Sequence, residues 1–234
     1  MTPSIAGLVG GLGPESTIDY YRRIFECWQR FEPGSAPSIV IDSLDVQVAL
    51  RLVESDRAAL TDYLLASLQR LAGAGVDFAA LTANTPHIVF DELAARAPIP
   101  LLSIVETCAD EARRLALKRP ALLGTRFTME GEFYPTVFAR RGITVVRPND
   151  AERAMVHERY VGELIPGIFK DSTRAEIVAL IETMASRDKI DSVILGGTEL
   201  PLLLRDATVA GLPALDTTAL HVDAIVARLR DKSG

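Results

Sequence analysis

The sequence predicts an α/β fold of two pseudo-symmetric halves, each a mostly parallel sheet flanked by helices. Short apolar runs alternate with segments of helical hydrophobic spacing along the chain, as in parallel sheets covered by helices. The series also repeats, because 73 residues separate Gly10 from Ala83 and 73 separate Gly124 from Gly197. Equal spacing at corresponding turns indicates an internal duplication.

The first half begins with a strand and a glycine-rich turn that leads into a helix. Pro14 and Glu15 suit the first turn of this helix, since proline loses no needed donor there and a carboxylate favours the positive end of the dipole. The stretch Ser43–Ser55 shows no clear period and is interpreted as loop. The predicted strands are Ile5–Gly11, Ser38–Asp42, Val76–Thr82 and Pro100–Ser103, and the predicted helices end at Phe31, cover Leu60–Leu71, and span Pro86–Ala97 and Val105–Leu117.

The second half follows the same order. Thr173 with Glu176 predicts a capping box at the start of its longest helix. Strands are expected at Ala121–Gly124, Ile143–Val146, Ile190–Leu195 and Leu212–Leu215, and helices at Met129–Arg141, Ala151–Phe169, Leu200–Arg205 and Thr218–Arg230. We expect an N-terminal α/β half over 1–117, against which the last helix, 216–231, packs, and a C-terminal α/β half over 118–215.

Composition excludes several classes of partner. The net charge of −6 argues against a nucleic-acid partner, because such proteins need a basic face. No apolar run is long enough to cross a bilayer and Met1–Ser4 is no basic leader, so we expect no membrane partner and a cytoplasmic location. Cys27 and Cys108 lie in helical patterns and are interpreted as reduced, buried thiols, and no His or Cys spacing indicates a metal site.

Two strand-to-helix turns are the candidate binding elements. Leu81–His87 and Leu195–Leu200 each follow a buried strand, and their small and hydroxylic residues leave the backbone open to a ligand. Ligands of parallel sheets bind beyond the carboxyl ends of the strands. We therefore expect one site in a cleft between the two halves. A nucleotide site at Gly10–Thr17 is disfavoured, because no phosphate-loop lysine follows.

These turns resemble the aspartate/glutamate racemase family, within the superfamily that includes hydantoin racemases, maleate isomerases and arylmalonate decarboxylases. The resemblance covers nearly the whole chain and is carried by Gly10–Thr17, Asn84–His87, Leu123–Met129, Gly197–Glu199 and Asp216–Thr218. It implies a cofactor-independent enzyme, expected as a homodimer, that uses two cysteines to exchange the α-proton of an acidic amino acid. Ala83 and Gly197 stand at the two cysteine positions.

Candidate ligand contacts and groups for proton transfer lie on and around these turns. His87 and Glu199 are the candidate acid and base near the substituted positions, with a structural histidine and a dipole-favoured glutamate as the alternative. Lys170 and Arg51 are candidates for a distal carboxylate, with solvated surface roles as the alternative. Substrate contacts are expected from Gly11, Ser16, Asn84, Thr85, Thr125, Thr128 and Thr198, of which the threonines and Asn84 could instead only cap helices.

The sequence therefore predicts a racemase-like isomerase for a small amino acid or dicarboxylate that lacks the usual pair of thiols. Two other hypotheses stay open. The chain could be a protein that binds a carboxylate or amino acid without catalysis. It could also be a related carbon-acid enzyme, such as a decarboxylase or a cis-trans isomerase.

Overall fold

A computed structural model describes residues 4–204 and 206–231. Met1–Pro3, where a leader was sought, and Arg205, the predicted end of a short helix, lie outside the described residues. The chain forms two compact units, which within the described residues comprise 4–104 with 221–231, and 105–204 with 206–220. The sequence places the first boundary after the helix that begins near residue 105, whereas the observed units part at the first residue of this helix.

The first unit contains four strands and the helices around them. Its strands are β1 (Ile5–Gly10), β2 (Ser38–Ser43), β3 (Phe78–Leu81) and β4 (Leu101–Leu102). Its helices are α1 (Pro14–Phe31), α2 (Val46–Ser55), α3 (Arg57–Gly73) and α4 (Phe90–Arg96), with a 3₁₀ turn at Thr85–Val89 before α4.

The second unit begins within α5 (Ile104–Arg114) and ends within α11 (Thr217–Arg230). Its strands are β5 (Pro120–Gly124), β6 (Ser192–Gly196), β7 (Thr208–Val209) and β8 (Leu212–Asp216). Its other helices are α6 (Arg126–Glu130), α7 (Phe133–Ala139), α8 (Asp150–Arg159), α9 (Asp171–Asp188) and α10 (Leu200–Leu204), and a π-helical turn, Tyr160–Leu164, continues α8.

The two sheets have related strand orders. The first is β2-β1-β3-β4, with every pair parallel, and the second is β5-β6-β8-β7, in which only β7 is antiparallel. A parallel bridge joins Ala121 of β5 to Val146. Val146 thus takes the place in the second sheet that β2 takes beside β1 in the first. The predicted α/β fold with two mostly parallel sheets is therefore confirmed.

Two aspartates make the same contact in the two units. The Asp77 carboxylate accepts a hydrogen bond from the Ile5 N–H at 2.7 Å, and the Asp191 carboxylate accepts one from the Arg119 N–H at 3.0 Å. Both pairs are separated by 72 residues in the sequence. Each carboxylate ties the loop before a central strand to the start of the neighbouring strand, so the duplication extends to individual side chains.

Two predicted elements and one predicted helix cap are wrong. The supposed loop Ser43–Ser55 contains α2, whose N-cap Asp45 accepts from the Gln47 N–H, a capping signal that the sequence interpretation missed. The predicted strand Ile143–Val146 is reduced to the single bridge at Val146. Helix α9 begins after Lys170, so Thr173 lies inside the helix and instead donates to Glu163 at 2.5 Å.

Each unit has its own apolar core. In the first, Val222, Ile225 and Val226 of α11 pack with residues of β1 and α1. In the second, α8, the π turn and α9 cover β5 and β6. Among residues 4–204 and 206–231, no helix is long and apolar enough to span a bilayer.

Candidate functional site

In the first unit, the turn after β1 requires glycine. Gly11 has φ 76°, and a β-carbon there would overlap the backbone of Leu44, lying 2.6 Å from its nitrogen. The Gly11 N–H donates to Thr17 Oγ1 at 2.9 Å. The backbone therefore passes closely over the neighbouring strand end, and its amide is engaged within the turn.

Ser16 and Thr82 brace the ends of β1 and β3. The Ser16 hydroxyl donates to the carbonyl of Thr82 at 3.0 Å, and the Thr82 hydroxyl donates to the carbonyl of Val9 at 3.1 Å. Both side chains are fully buried. Their hydroxyls hold the two central strands at the edge where Ala83 and Asn84 follow.

His87 is held by backbone on both ring nitrogens. Nδ1 lies 3.1 Å from the Ala83 carbonyl oxygen, and Nε2 accepts from the Ile104 N–H at 3.3 Å. The acceptor role of Nε2 leaves the proton on Nδ1, which donates to Ala83. Burial, and secondarily the charge of His221, lowers the pKa of His87 to about 3. A neutral histidine with both nitrogens occupied fits the structural alternative better than a base.

The turn of the first unit that carries Ala83 has little ionisable chemistry. Ala83 itself offers only a methyl group, and it is 7% exposed. Asn84 is buried and precedes the 3₁₀ turn that Thr85 begins. Amide and hydroxyl groups at such a position can hold a carboxylate, but they do not transfer protons near neutral pH.

In the second unit, Thr125 caps α6 at the end of β5. Its side chain accepts from the Thr128 N–H at 3.2 Å, and the two hydroxyls lie 3.2 Å apart. Both threonines are buried. The capping role proposed for them from sequence is thus observed for Thr125, while Thr128 contributes a second hydroxyl at the same strand end.

Gly197, directly after β6, lies against the ring of Tyr160. A β-carbon on Gly197 would lie 2.6 Å from Tyr160 Cζ and closer still to Cε2 and Oη. No side chain fits there unless the ring moves. Tyr160 is the first residue of the π turn after α8. The Tyr160 hydroxyl lies in the space that the side chain of a larger residue at position 197 would fill.

The Tyr160 hydroxyl forms a buried pair with Glu199. It donates to Glu199 Oε2, and the Glu199 N–H approaches the Tyr160 oxygen at 3.4 Å. Thr198 Oγ1 donates to the same carboxylate oxygen at 3.2 Å. Tyr160, Thr198 and Glu199 are each 3% exposed. The turn that carries Gly197 thus holds a hydrogen-bonded phenol and carboxyl group.

Burial governs the electrostatics of this pair. Loss of hydration raises the pKa of the Glu199 carboxyl above its usual value, although hydrogen bonds from Tyr160, its own amide and Thr198 oppose the rise. Burial and the neighbouring Glu199 charge raise the pKa of Tyr160 well above the ordinary value. The phenol therefore stays protonated at neutral pH, and the carboxyl, as the stronger acid of the two, is the group that can lose its proton and then accept one.

Lys170 and Arg51 lie in different units and are both exposed. Lys170 donates to Glu163 at 3.1 Å, and Glu163 also accepts from Arg159 and Thr173. A cavity of about 370 Å³ in the second unit is lined by Lys170 together with Phe169, Asp171, Arg174, Leu202, Leu203, Leu204 and Asp206. Arg51 projects from α2 rather than from a loop.

The cysteines are not equivalents of the two substituted positions. Cys27 is on α1, where its thiol donates to Asp223 at 3.3 Å, and Cys108 is on α5. Burial raises the pKa of Cys27, and burial with the charges of Asp216 and Glu111 raises that of Cys108 beyond the normal range of thiols. Both are free and buried, as expected for the reduced, buried thiols that the sequence predicts.

The sequence interpretation missed Tyr160. It assigned this residue to the middle of one helix, Ala151–Phe169, without any functional signal. Only its contact with Gly197 and Glu199, which lies 39 residues later, makes it notable. Among the described parts of the chain, no group of three or more His, Cys, Asp or Glu side chains could hold a metal ion.

Two mostly parallel sheets, whose central strands end in glycine- and hydroxyl-rich turns, define a class of α/β proteins that bind small molecules at strand ends. Residues 9–225 match the family described as Asp/Glu/Hydantoin racemase, and the chain belongs to that family.

The relatives are amino-acid racemases or their homologues. The chain is 26% identical over 220 residues to the broad specificity amino-acid racemase RacX of Bacillus subtilis (strain 168), covering 91% of this chain and 92% of that protein. It is similar to the structure of an aspartate racemase homologue from Pyrococcus horikoshii OT3, with TM-score 0.81, 31% identity, and coverage of 98% and 100%. The aspartate racemase of Picrophilus torridus has the same fold, with TM-score 0.75 at 19% identity over 97% and 94% of the two chains.

Proposed function

We propose that this protein is a cofactor-independent isomerase-family enzyme that removes and returns the α-proton of a small amino acid or dicarboxylate. The observation that carries the proposal is the pair of turns after the central strands β3 and β6. Both present buried amide, hydroxyl or carboxyl groups at the strand ends where ligands of parallel sheets bind. The same chemistry is supported by the match of residues 9–225 to the racemase family and by the racemase relatives.

Residues of the turns are assigned to the substrate carboxylate. In the first unit, Asn84 and Thr85 supply amide and hydroxyl donors, with Gly11 and Ser16 at the neighbouring strand end. In the second unit, Thr198 supplies a hydroxyl, with Thr125 and Thr128 at the end of the neighbouring strand. Lys170 is assigned to a distal carboxylate, because it lines the cavity of the second unit and a lysine binds carboxylate as a point charge. Arg51, exposed on α2, is the weaker second candidate for that role.

The same proposal includes a mechanism without the two thiols. Ala83 and Gly197 carry no group that can transfer a proton, so the two-cysteine route that the family resemblance implies is not used. Another side chain on one of the two turns must then act as the acid or base. The proposal further includes a cytoplasmic location and a homodimer. Size-exclusion chromatography with light scattering tests the dimer.

A non-catalytic carboxylate-binding protein is the second candidate function. The methyl group of Ala83 and the occupied ring nitrogens of His87 favour it, because they leave the first unit without a base at this turn. A decarboxylase or a cis-trans isomerase is the related alternative, since such reactions need fewer proton transfers than a racemisation.

Hydrogen exchange distinguishes these functions. The protein is incubated in heavy water with aspartate, glutamate, neutral amino acids and simple dicarboxylates, and α-deuterium, racemisation, loss of carbon dioxide and double-bond isomerisation are each measured. Exchange or racemisation supports the proposal, and decarboxylation or isomerisation alone supports the related enzyme. Tight binding in calorimetry without any turnover contradicts the proposal and supports the binding protein.

A further inference from the structure

We propose that Tyr160 and Glu199 form the proton-transfer pair of the second unit, with the phenol oxygen as the atom that meets the substrate α-carbon. This inference rests on the proposed function and deepens it. It assigns catalysis to a residue on the π turn after α8 and to a carboxyl group in the turn after β6.

The first argument is position. The ring of Tyr160 occupies the volume beside Gly197 at the carboxyl end of β6, and its hydroxyl is as near as its ring carbons to the place that a β-carbon on residue 197 would take. A phenol oxygen there reaches the point that a longer side chain on residue 197 would reach. The π turn, a rare conformation that is frequent at functional sites, supplies this approach.

The second argument is the cost of burial. A core that needed only volume at this place could use phenylalanine and an apolar partner. Instead a phenol and a carboxyl group are both buried, with Thr198 completing the hydrogen bonds of the carboxylate. Burying a carboxyl group is unfavourable unless it is hydrogen-bonded, and buried ionisable pairs of this kind concentrate at functional sites.

The proton path is short and balanced. The substrate Cα–H bond breaks and its proton passes to the Tyr160 oxygen, while the phenol proton moves to Glu199 Oε2. The electron pair of the broken bond stays on the substrate as a carbanion conjugated with its carboxylate. The reverse movement returns a proton from Tyr160 and restores the Glu199 carboxylate, so no oxidant or other reactant is consumed.

The environment suits these roles. The Glu199 carboxylate accepts the proton, and its raised pKa makes it a better base near neutral pH than an exposed glutamate. Tyr160 alone is too weak an acid to start as phenolate, which is why the carboxyl partner is required. The side chains that act on the Glu199 carboxyl are those of Tyr160 and Thr198.

The test uses the exchange of substrate α-hydrogen in heavy water, measured by proton NMR on the best substrate found for the wild-type chain. Tyr160→Phe is expected to lower the exchange rate at least about 100-fold, the lower range for loss of a general acid or base. Tyr134→Phe is the matched control, because Tyr134 is another fully buried tyrosine of the same unit, and it should keep the wild-type rate. Circular dichroism and thermal unfolding establish that each variant folds.

A pH profile separates chemistry from structure for Glu199. The wild-type exchange rate should rise as pH increases through the raised pKa of Glu199. Glu199→Gln, which keeps the shape and a hydrogen-bond acceptor, should lose about 100-fold in rate and also lose this rise. A carboxyl group with only a packing role would leave the acidic limb of the profile unchanged in the glutamine variant.

The outcomes are distinguishable. A folded Tyr160→Phe variant that exchanges within about threefold of wild type overturns the inference and leaves the proposed function intact. A Glu199→Gln variant that retains the acidic limb also overturns it. A wild-type chain that exchanges no α-hydrogen on any substrate overturns the proposed function and the inference together.

Discussion

The ring of Tyr160 fills the space beside the α-carbon of Gly197, so the identity of one residue depends on the other. The backbone conformation does not require glycine there, because its φ lies outside the left-handed region. Glycine is needed because a β-carbon would overlap the ring. The hydroxyl of Tyr160 then reaches Glu199, which is the only carboxyl group in the turn. A substitution at 197 therefore acts through the aromatic ring before it acts on any ligand.

We predict that Gly197→Ala lowers the free energy of unfolding by about 1–3 kcal/mol, because the new methyl group displaces the Tyr160 ring. Denaturant unfolding measures this loss. Gly162→Ala is the matched control. Gly162 lies on the same π turn as Tyr160, and a β-carbon there meets nothing within 4 Å, so this change should be neutral or slightly stabilising. Adding Tyr160→Leu to Gly197→Ala should recover part of the loss; equal losses with and without this change would contradict the argument.

The same contact changes the expectation for restored thiols. Ala83→Cys with Gly197→Cys puts a thiol at each cysteine position of the family, yet the second thiol meets the Tyr160 ring. We therefore expect racemisation by the two thiols only when Tyr160 is also replaced by a smaller residue. A double variant with Tyr160 intact that racemises aspartate or glutamate faster than the wild-type chain, measured by optical rotation, would contradict this expectation.

His221 gives a pH-dependent prediction in the first unit. Its Nδ1 accepts from the Tyr20 hydroxyl at 2.9 Å, its Nε2 lies 3.1 Å from the Leu102 carbonyl oxygen, and burial lowers its pKa to about 4. The unfolded chain, with a histidine pKa of about 6.5, then binds a proton that the folded chain does not. Stability should be complete above pH ~6.5 and fall as pH decreases toward 4.

Urea unfolding at several pH values measures this dependence. His221→Gln removes the titrating group and keeps the possibility of hydrogen bonds, so the fall in stability between pH ~6.5 and 4 should be smaller in this variant. Parallel curves for the wild-type chain and the variant would show that His221 does not contribute.

Among the elements, the two loops before β3 and β6 are tied to neighbouring strands by single carboxylates. Asp77 accepts one backbone hydrogen bond, from Ile5, whereas Asp191 accepts two, from Lys118 at 2.6 Å and Arg119 at 3.0 Å. Hydrogen bonds to a charged acceptor are stronger than neutral ones. These contacts fix where each central strand begins and hence where its turn lies.

We predict that Asp191→Ala lowers the free energy of unfolding by about 1–3 kcal/mol, with a smaller loss for Asp77→Ala, which removes fewer hydrogen bonds. Asp62→Ala is the control, because Asp62 forms an exposed ion pair with Arg96, and such pairs contribute about 0–1 kcal/mol. Denaturant unfolding of the three variants gives the order. A loss at Asp62 as large as that at Asp191 would contradict the assigned roles.

Across the whole molecule, each unit has a separate core, and the first draws on both ends of the chain. Ile225 of α11 is fully buried in the cluster that contains Leu8 and Tyr20. Trp28, the single tryptophan of the chain, packs against the same cluster. Its fluorescence therefore reports on the unit that combines the first part of the chain with the last helix.

We predict that Ile225→Ala lowers the free energy of unfolding of the first unit by about 2–5 kcal/mol, the range for a large aliphatic residue truncated in a core. The Trp28 fluorescence transition in denaturant measures it. Ile18→Ala is the control, because Ile18 is 44% exposed on α1, and its transition should stay near that of the wild-type chain. An unchanged transition for Ile225→Ala would show that α11 is not part of this core.

Local patterns predicted most of the fold. The buried strands and the order of elements followed from apolar runs and spacing, and the family followed from the resemblance of the turn motifs. The errors have local causes as well. The short helix α2 was missed because its hydrophobic period is weak, although Asp45 caps it. Thr173 was wrongly predicted as a cap because its spacing to Glu176 is that of a capping box, whereas its hydroxyl donates to Glu163.

The candidate site was predicted only in part. Glu199 was selected from its place in the turn, and His87 from its spacing to Ala83. The structure adds that His87 is engaged by backbone on both nitrogens and that Glu199 binds Tyr160. The assignments of ligand contacts stay predictions, since spacing fixes the position of a residue on a turn but not the partner of its side chain.

The sequence by itself determined the alternation of strands and helices, the duplication and the two turns, because these depend on local periodicity and on residues close together in the chain. The tertiary structure alone decided that Tyr160 fills the space at Gly197 and binds Glu199. That contact joins residues 39 positions apart, through a π turn and a strand end whose packing no local pattern encodes.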